Sequence, residues 1–378
     1  MDLGLSEEQE LLRNFARDFL EKECPESLVR EMEEDEKGYS PQLWKGMVDQ
    51  GWLGLIVPPE HGGSGMGFLD LIILTEEFGR ALVPGPFLST QAGGAIPLLD
   101  WGNEAQKKEH LPKIATGEEI WTLAVTEPAA RFDAEGVQMD AKVEGDKLVL
   151  NGTKLFVRDA QVADYLTVAV RTKKGAGAED GITLVAVDAK SPGISYTPLV
   201  TIGSDKQAEV KFENVAAPKA NVIGEVDKGW PILNKLLLKA AALECAYLVG
   251  LAQMDFEITV NYAKERVQFG RPIGSFQAIQ HKCADMVTDV DGARFLMYKA
   301  AWSIAGDEPD AEQSVHMAKT WCNEATRRVV AHGQQIHGGI GFTKDYKIQL
   351  YFRRQKMADL MWGDADFHRE LVAQSLAL

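Results

Sequence analysis

Three segments of the chain combine residue types that could hold a nucleotide cofactor. The segment Thr126–Pro128 follows an apolar run and predicts a strand that ends in a turn fixed by proline. In the segment Arg266–Gly274, the guanidinium of Arg266 is suited to pair with a pyrophosphate. In the segment Gln335–Phe342, the paired glycines would let the backbone approach a bound cofactor closely.

Each of these segments also has a purely structural interpretation. Thr126–Pro128 is a common turn sequence. Arg266 followed by Gly270 could be the C-terminus of a helix, with Arg266 near the negative end of the helix dipole and Gly270 as the cap. Gly338–Gly341 could be a tight turn between helices. The sequence contains no dinucleotide-binding G-x-G-x-x-G after a strand, no P-loop, no metal-ligand motif and no nucleophile elbow. A nucleotide cofactor would therefore need another binding geometry.

The elements that would position these segments change type twice along the chain. Residues 1–117 predict helices, among them one that starts at the capping-box pair Ser6 and Gln9, and others near 41–50 and 68–78. Residues 118–225 predict a β-domain, with a hairpin at 143–150 and short β-rich runs at 166–170, 182–187 and 210–212. Residues 226–378 predict a bundle of long helices, over 232–259, 278–304 and 311–332. The lack of β-α-β alternation argues against a Rossmann fold.

Composition limits the class of partner and the compartment. The chain has 378 residues, 45% of them hydrophobic, and a formal net charge of −16, which argues against nucleic acid or an anionic membrane as partner. The cysteines match no metal-ligand spacing, so we expect free thiols and a reducing compartment; they are Cys24, Cys245, Cys283 and Cys322. Met1–Leu12 lacks the apolar core of a secretory signal, and no run of about 18 apolar residues is seen, so a cytoplasmic protein is expected.

Taken together and in order, the segments resemble the acyl-CoA dehydrogenase family over nearly the whole chain. The match includes the Pro- and Gly-rich loop at 59–65, Thr126–Pro128, the Arg266–Gly270 stretch and Gln335–Gly339. The resemblance implies an N-terminal helical domain, a middle β-barrel-like domain and a C-terminal four-helix bundle, commonly assembled as a tetramer. It also implies FAD as cofactor, an acyl-CoA as substrate and an electron-transferring flavoprotein as electron acceptor.

The resemblance also assigns roles to individual residues. Thr126 would hydrogen-bond the edge of the isoalloxazine ring. The remaining positions would contact the ADP half of a FAD held mainly by a neighbouring subunit; they are Arg266, Phe269, Gln335, Gly338 and Gly339. A dimer would then be the smallest unit that binds the cofactor.

The catalytic base is where the sequence departs from the family. Dehydrogenation needs a carboxylate to take the α-proton of the thioester while the flavin takes the β-hydride. The two positions that carry the base in the family are occupied here by Trp362 and Ala240, and neither can accept a proton. Glu244 lies one helical turn after Ala240 and is predicted to be either the base or half of a buried ion pair. Asp364 is the other candidate, with helix capping as its alternative.

Further departures favour a second hypothesis. Phe132 stands where the family has a small polar residue, and Phe156–Arg158 replaces the usual Trp-x-Thr wall of the flavin site. Arg131 and Arg158 could serve an anion such as a CoA phosphate or could be surface charge. The segments 156–164 and 363–369 are similar to the smaller subunit of paired bacterial acyl-CoA dehydrogenases, which implies an α2β2 heterotetramer whose other chain supplies the base. A redox-silent acyl-CoA binder or a flavin oxidase on the same scaffold would be further alternatives.

Overall fold

The N-terminal part of the chain folds into a helical layer. The structure is a computed structural model that describes residues 4–175 and 177–378. The capping box at Ser6 and Gln9 is confirmed, since the Gln9 amide donates to the Ser6 hydroxyl and the Gln9 side chain accepts from the Ser6 amide. The helices of this layer are α1 (Glu7–Glu23), α2 (Glu26–Glu34), α3 (Pro41–Asp49), α4 (Phe68–Ala81), α5 (Phe87–Thr90), α6 (Ile96–Trp101) and α7 (Glu104–Ala115).

A mostly antiparallel sheet follows. Its path runs β6-β7-β3-β2-β4-β5-β8, and β1 pairs in parallel with β4. The predicted hairpin at 143–150 is confirmed by the antiparallel pairing of Glu144 with Lys147 across the turn. The strands are β1 (Trp121–Ala124), β2 (Asp140–Glu144), β3 (Lys147–Arg158), β4 (Tyr165–Arg171), β5 (Ile182–Asp188), β6 (Ile194–Leu199), β7 (Gln207–Pro218) and β8 (Val222–Ile223).

Long helices form the C-terminal part. The helix α8 packs against both α9 and α10, and α10 also packs against α11 and α12. The predicted order of helical domain, β-domain and helical bundle is therefore confirmed. The elements are α8 (Trp230–Glu265), β9 (Val267–Gln268), β10 (Arg271–Pro272), α9 (Gln277–Ala305), α10 (Ala311–His337), α11 (Ile348–Ala358) and α12 (Ala365–Ser375).

The helix α8 joins the layers into one core. A Cβ added at Gly250 would lie 1.7 Å from the Glu76 carbonyl oxygen, and one at Gly79 would lie 1.9 Å from the Tyr247 carbonyl oxygen, so α4 and α8 touch backbone to backbone. Contrary to the expectation from the sequence, α8 is long and apolar enough to cross a membrane by length and composition. Because 78% of its most apolar window is buried inside the protein, it is placed as a core helix.

Two local features differ from the sequence-based expectation. The strand β6, which the sequence did not predict, pairs with β7 along its whole length. The stretch after Arg266 is not a helix end capped by Gly270. It is a two-stranded hairpin of β9 and β10, with Phe269 and Gly270 in its turn at φ values of 53° and 79°.

Candidate active site

Thr126 is held at the end of β1, at the edge of the larger of two neighbouring cavities. The carbonyl of Thr126 accepts a hydrogen bond of 2.8 Å from the Leu155 amide on β3. Its side chain is half-buried and lines a cavity of about 410 Å³. This large cavity lies between the β-domain and the α11–α12 region; its lining includes Val125, Thr126, Phe132, Phe156, Val200, Ile202, Met357, Leu360 and Trp362.

A buried lysine fixes the turn that carries Thr126. The side chain of Lys154 is fully buried, and its ammonium donates to the Val125 carbonyl at 2.9 Å and to the Glu127 carboxylate at 2.7 Å. Glu127 also accepts from the amides of Gln138 and Met139 at 3.0 and 2.9 Å. Burial lowers the pKa of Lys154 to about 8, and the Glu127 carboxylate opposes this shift. No local sequence pattern marks Lys154, because its partner Glu127 is 27 residues away.

This lysine gives the folded protein a specific dependence on pH. Lys154 loses its proton near pH 8 in the folded chain but near pH 10.5 when unfolded, so the unfolded state binds more protons between these values. The contribution of Lys154 to stability therefore rises with pH across that window, by roughly 3 kcal/mol. The free energies of unfolding of the wild type and Lys154→Met can be compared by urea unfolding at pH 7.5 and 9.5. The stability of the wild type relative to Lys154→Met should be greater at pH 9.5 than at pH 7.5. A difference that does not change with pH would contradict the assignment.

Arg158 and Glu244 form a buried ion pair beside this cavity. The guanidinium of Arg158, at the end of β3, donates to the two carboxylate oxygens of Glu244 on α8 at 2.8 and 3.4 Å. Their side chains are 12% and 2% exposed. Burial opposes the charge on Arg158, but Glu244, with Asp205 and Asp159, outweighs it and raises the pKa of Arg158 above its usual value. Of the two sequence-based interpretations of Glu244, the structure shows the ion pair.

This ion pair lines a second, small cavity. The second, small cavity measures about 20 Å³, which is room for about one water molecule. Ala240, Glu244 and Trp362 all line it, so both base positions implied by the family resemblance meet at one place. The remaining lining residues are Leu88, Ser89, Ala92, Thr122, Leu123, Arg158 and Leu243.

Asp364, the other candidate base, caps a helix. It is the N-cap of α12, and its carboxylate accepts from the Phe367 amide at 2.8 Å. Asp364 also lines the large cavity, but its neighbour Asp366 is exposed and pairs with Arg369. Glu244 is thus paired with Arg158, and one carboxylate oxygen of Asp364 accepts from the end of α12, while the catalytic role of either residue stays a prediction.

The two arginines suggested as anion sites are both paired. Arg131 is exposed and contacts Asp133 and Glu135, which corresponds to the surface-charge interpretation. Arg158 is not a surface charge, because Glu244 binds it in the interior. Phe132 lines the large cavity and packs against Phe367 at 5.6 Å between ring centroids, so it narrows one end of that cavity.

The residues expected to contact the ADP half of FAD lie on two exposed features away from Thr126. Arg266 and Phe269 are on the β9–β10 hairpin, where the Phe269 side chain is 91% exposed. Gln335 is exposed near the end of α10, and Gly338 follows it at a φ of 62°. A Cβ added at Gly338 or Gly339 would meet no atom within 4 Å, so this turn is open to a ligand. A single chain brings neither feature to the large cavity.

Comparison with known proteins identifies the family. The models of the acyl-CoA dehydrogenase N-terminal, middle and C-terminal domains match residues 6–118, 122–215 and 227–377. The chain belongs to the acyl-CoA dehydrogenase family. The predicted fold, the class of activity and FAD as its cofactor are thereby confirmed.

The similarity to individual proteins extends over whole chains. The 3-(aryl)acrylate reductase of Clostridium sporogenes is 35% identical, with 98% of this chain and 99% of that protein covered. The caffeyl-CoA reductase-Etf complex subunit CarC of Acetobacterium woodii is 34% identical, with 98% of each covered. The structure of butyryl-CoA dehydrogenase from Megasphaera elsdenii superposes with a TM-score of 0.92 at 29% identity, covering both chains completely.

The structure fits the cofactor better than it fits the substrate. The large cavity is open, mostly apolar, and carries the hydroxyl of Thr126 at its edge, as a flavin ring system requires. The open glycine turn and the exposed Arg266 are available to a dinucleotide that reaches them from a second chain. The small cavity, in contrast, has no room for an acyl thioester while Arg158 and Glu244 remain paired.

Proposed function

We propose that this chain is the partner subunit of a heteromeric acyl-CoA dehydrogenase whose second chain supplies the catalytic base. The observation that carries the proposal is the Arg158–Glu244 ion pair, which lines the small cavity together with Ala240 and Trp362. A subunit that performed the reaction itself would need at this place an acyl chain and a free carboxylate. In this chain the small cavity is too small for an acyl chain, and the carboxylate of Glu244 is paired with Arg158.

In this assembly the chain would contribute to FAD binding from both of its cofactor features. Thr126 would contact the edge of a ring system in the large cavity. The side chain of Lys154 holds the turn that carries Thr126 in place. Arg266 and Phe269, with the Gln335–Gly339 turn, would contact the diphosphate and adenosine of a FAD held by the neighbouring subunit. FAD, when bound in a complete site, supplies the acceptor for the β-hydride of the acyl group.

The wider partners follow from the same proposal. The name of the Acetobacterium woodii relative refers to a complex with Etf, so an electron-transferring flavoprotein is proposed as the redox partner here. An α2β2 heterotetramer is the proposed assembly, since the chain would share each cofactor with a second acyl-CoA dehydrogenase subunit. A cytoplasmic location belongs to the proposal as well, because Cys24, Cys245, Cys283 and Cys322 are free thiols.

The proposal is tested by purifying the tagged chain from its native host and, separately, after expression alone. From the host, we expect equal amounts of this chain and of a second family member with a carboxylate at the position of Trp362. The complex should contain FAD and reduce an electron-accepting dye with acyl-CoA esters of short, long, branched or aromatic acyl groups. The chain expressed alone should show no turnover with the same panel. Turnover by the chain alone, with its own FAD, would show that it is a self-sufficient dehydrogenase.

A further inference from the structure

Trp362 stands in an unusual backbone conformation between the two cavities. The segment 359–364 links α11 to α12 and places Trp362 in the lining of both the large and the small cavity. The φ of Trp362 is 60°, and that of Gly363 is 109°. A left-handed conformation is unfavourable for a bulky residue. It persists only where surrounding groups hold it.

Buried side chains of α10 hold the carbonyls of this segment. The ammonium of Lys319, which is fully buried, donates to the Asn323 side-chain oxygen at 2.7 Å and to the Ala358 carbonyl at 3.3 Å. The Asn323 amide group donates to the carbonyls of Asp359 and Gly363 at 3.0 and 3.4 Å. The carbonyls on either side of Trp362 along the chain therefore have interior donors.

Two buried histidines complete the set at Trp362 itself. Nε2 of His368, on α12, lies 3.0 Å from the Trp362 carbonyl oxygen, and Nδ1 of His368 lies 2.9 Å from Nδ1 of His316, on α10. The carbonyl can only accept, so Nε2 of His368 must carry hydrogen. The neutral His368 ring then has a bare Nδ1, which accepts from the Nδ1–H of His316. The geometry thus fixes the tautomer of both rings.

Burial favours the neutral form of both rings. Burial lowers the pKa of His316, and the Glu312 carboxylate on the same helix, 3.8 Å from its Nε2, opposes this. Burial also lowers the pKa of His368 to about 3, with Lys319 and His316 adding to the shift. Position 363 requires glycine beside this ring, because a Cβ there would lie 2.7 Å from Nε2 of His368. Burial therefore favours the neutral, hydrogen-bonded form of His368 across the physiological range of pH.

We propose that His316 and His368 are positioning residues: they form a hydrogen-bonded relay that fixes the Trp362 backbone and so keeps its indole between the large and small cavities. His316 acts on Trp362 only through His368. The inference rests on the proposed function in one respect, namely that Trp362 is a permanent wall of a closed site. Its test uses no acyl-CoA. The relay can therefore be disproved while the proposed function holds, and the proposed function can be disproved while the relay holds.

The direct test is nuclear magnetic resonance of the wild-type chain with ¹⁵N-labelled histidine, with the variants below used to assign the two rings among the seven histidines. We expect His368 to carry its proton on Nε2 and His316 to carry one on Nδ1, with the His368 ring not titrating between pH 5.5 and 8. Titration of His368 in this range, or a proton on its Nδ1, would overturn the relay. The titration itself is measured on the wild-type chain, so its result does not depend on whether a variant folds.

A second test follows Trp362 by ¹⁹F resonance in chains labelled with 5-fluorotryptophan, with Trp362→Phe used for assignment. His368→Leu and His316→Leu should both shift this resonance, whereas His368→Gln should restore it, because the glutamine amide can donate to the same carbonyl. His332→Leu, on the same helix but bonded to Lys282 instead, is the matched control and should leave it in place. If the Trp362 resonance does not shift in His316→Leu, or shifts equally in all variants, the histidines act by packing alone.

Discussion

Replacing Glu244 with leucine is expected to lower the free energy of unfolding by about 3–5 kcal/mol, because it leaves the buried guanidinium of Arg158 without its partner. Arg158→Met should cost a similar amount for the converse reason. The double variant Arg158→Met/Glu244→Leu should recover most of the loss, since two apolar side chains of similar volume can pack where the ion pair stood. Urea unfolding of the wild type, both single variants and the double variant measures this coupling directly.

The exposed pair Lys211 and Glu209 provides a control in the same protein. Their charged atoms are 3.4 Å apart, but the side chains are 52% and 28% exposed. The same pair of substitutions there should change stability by less than about 1 kcal/mol, with little coupling. If the single changes at Arg158 and Glu244 simply add in the double variant, the two side chains do not act as a pair.

The ion pair also makes a prediction about binding within the proposed function. In Arg158→Thr/Glu244→Val, both side chains are shortened and the small cavity gains the volume that they occupied. If the pair is what excludes the acyl group, this variant should bind an acyl-CoA that the wild-type chain expressed alone does not bind. It should remain inactive, because Ala240 and Trp362 still provide no base.

The helices and most strands could be predicted because local signals determine them. Ser6 caps α1 through its own neighbour Gln9, and the β2–β3 turn at Gly145 joins strands that are adjacent in sequence. The family motifs were recognisable for a similar reason: each is a short stretch of fixed order. The short strands β9 and β10 were missed because a hairpin turn with Phe269 at positive φ resembles a helix end in sequence.

The contents of the site could not be predicted in the same way, because they depend on packing between domains. Arg158 and Glu244 are 86 residues apart, on a strand of the β-domain and a helix of the bundle. From the sequence, Glu244 could be either a base or half of an ion pair. The ion pair becomes visible only because β3 lies beside α8. His316 and His368 are 52 residues apart, and although His368 lies in the recognisable segment 363–369, no motif links it to His316. Their pairing becomes visible only where α10 meets α12.

The second large effect is expected at the cofactor, where Arg266→Ala should weaken FAD binding to the assembled complex by roughly 10- to 100-fold. A charge-assisted hydrogen bond to a diphosphate is worth about 1.5–3 kcal/mol, and Arg266 is an exposed side chain with no partner among the described residues of its own chain. For the same reason the stability of the chain alone should change by less than about 0.5 kcal/mol. Arg266→Lys should recover only part of the affinity, since an ammonium cannot make the two parallel bonds of a guanidinium.

Lys264, two residues earlier and also exposed, is the matched control for this cation. Lys264→Ala removes the same charge from the end of α8 but leaves the hairpin intact, so it tests whether position or net charge matters. The affinity of each complex for FAD, measured by quenching of flavin fluorescence at two salt concentrations, separates the cases. A loss confined to Arg266→Ala would place the guanidinium at the diphosphate across the subunit boundary. Equal losses in both variants would reduce Arg266 to a general electrostatic contribution, and the hairpin would then have no specific part in holding the cofactor.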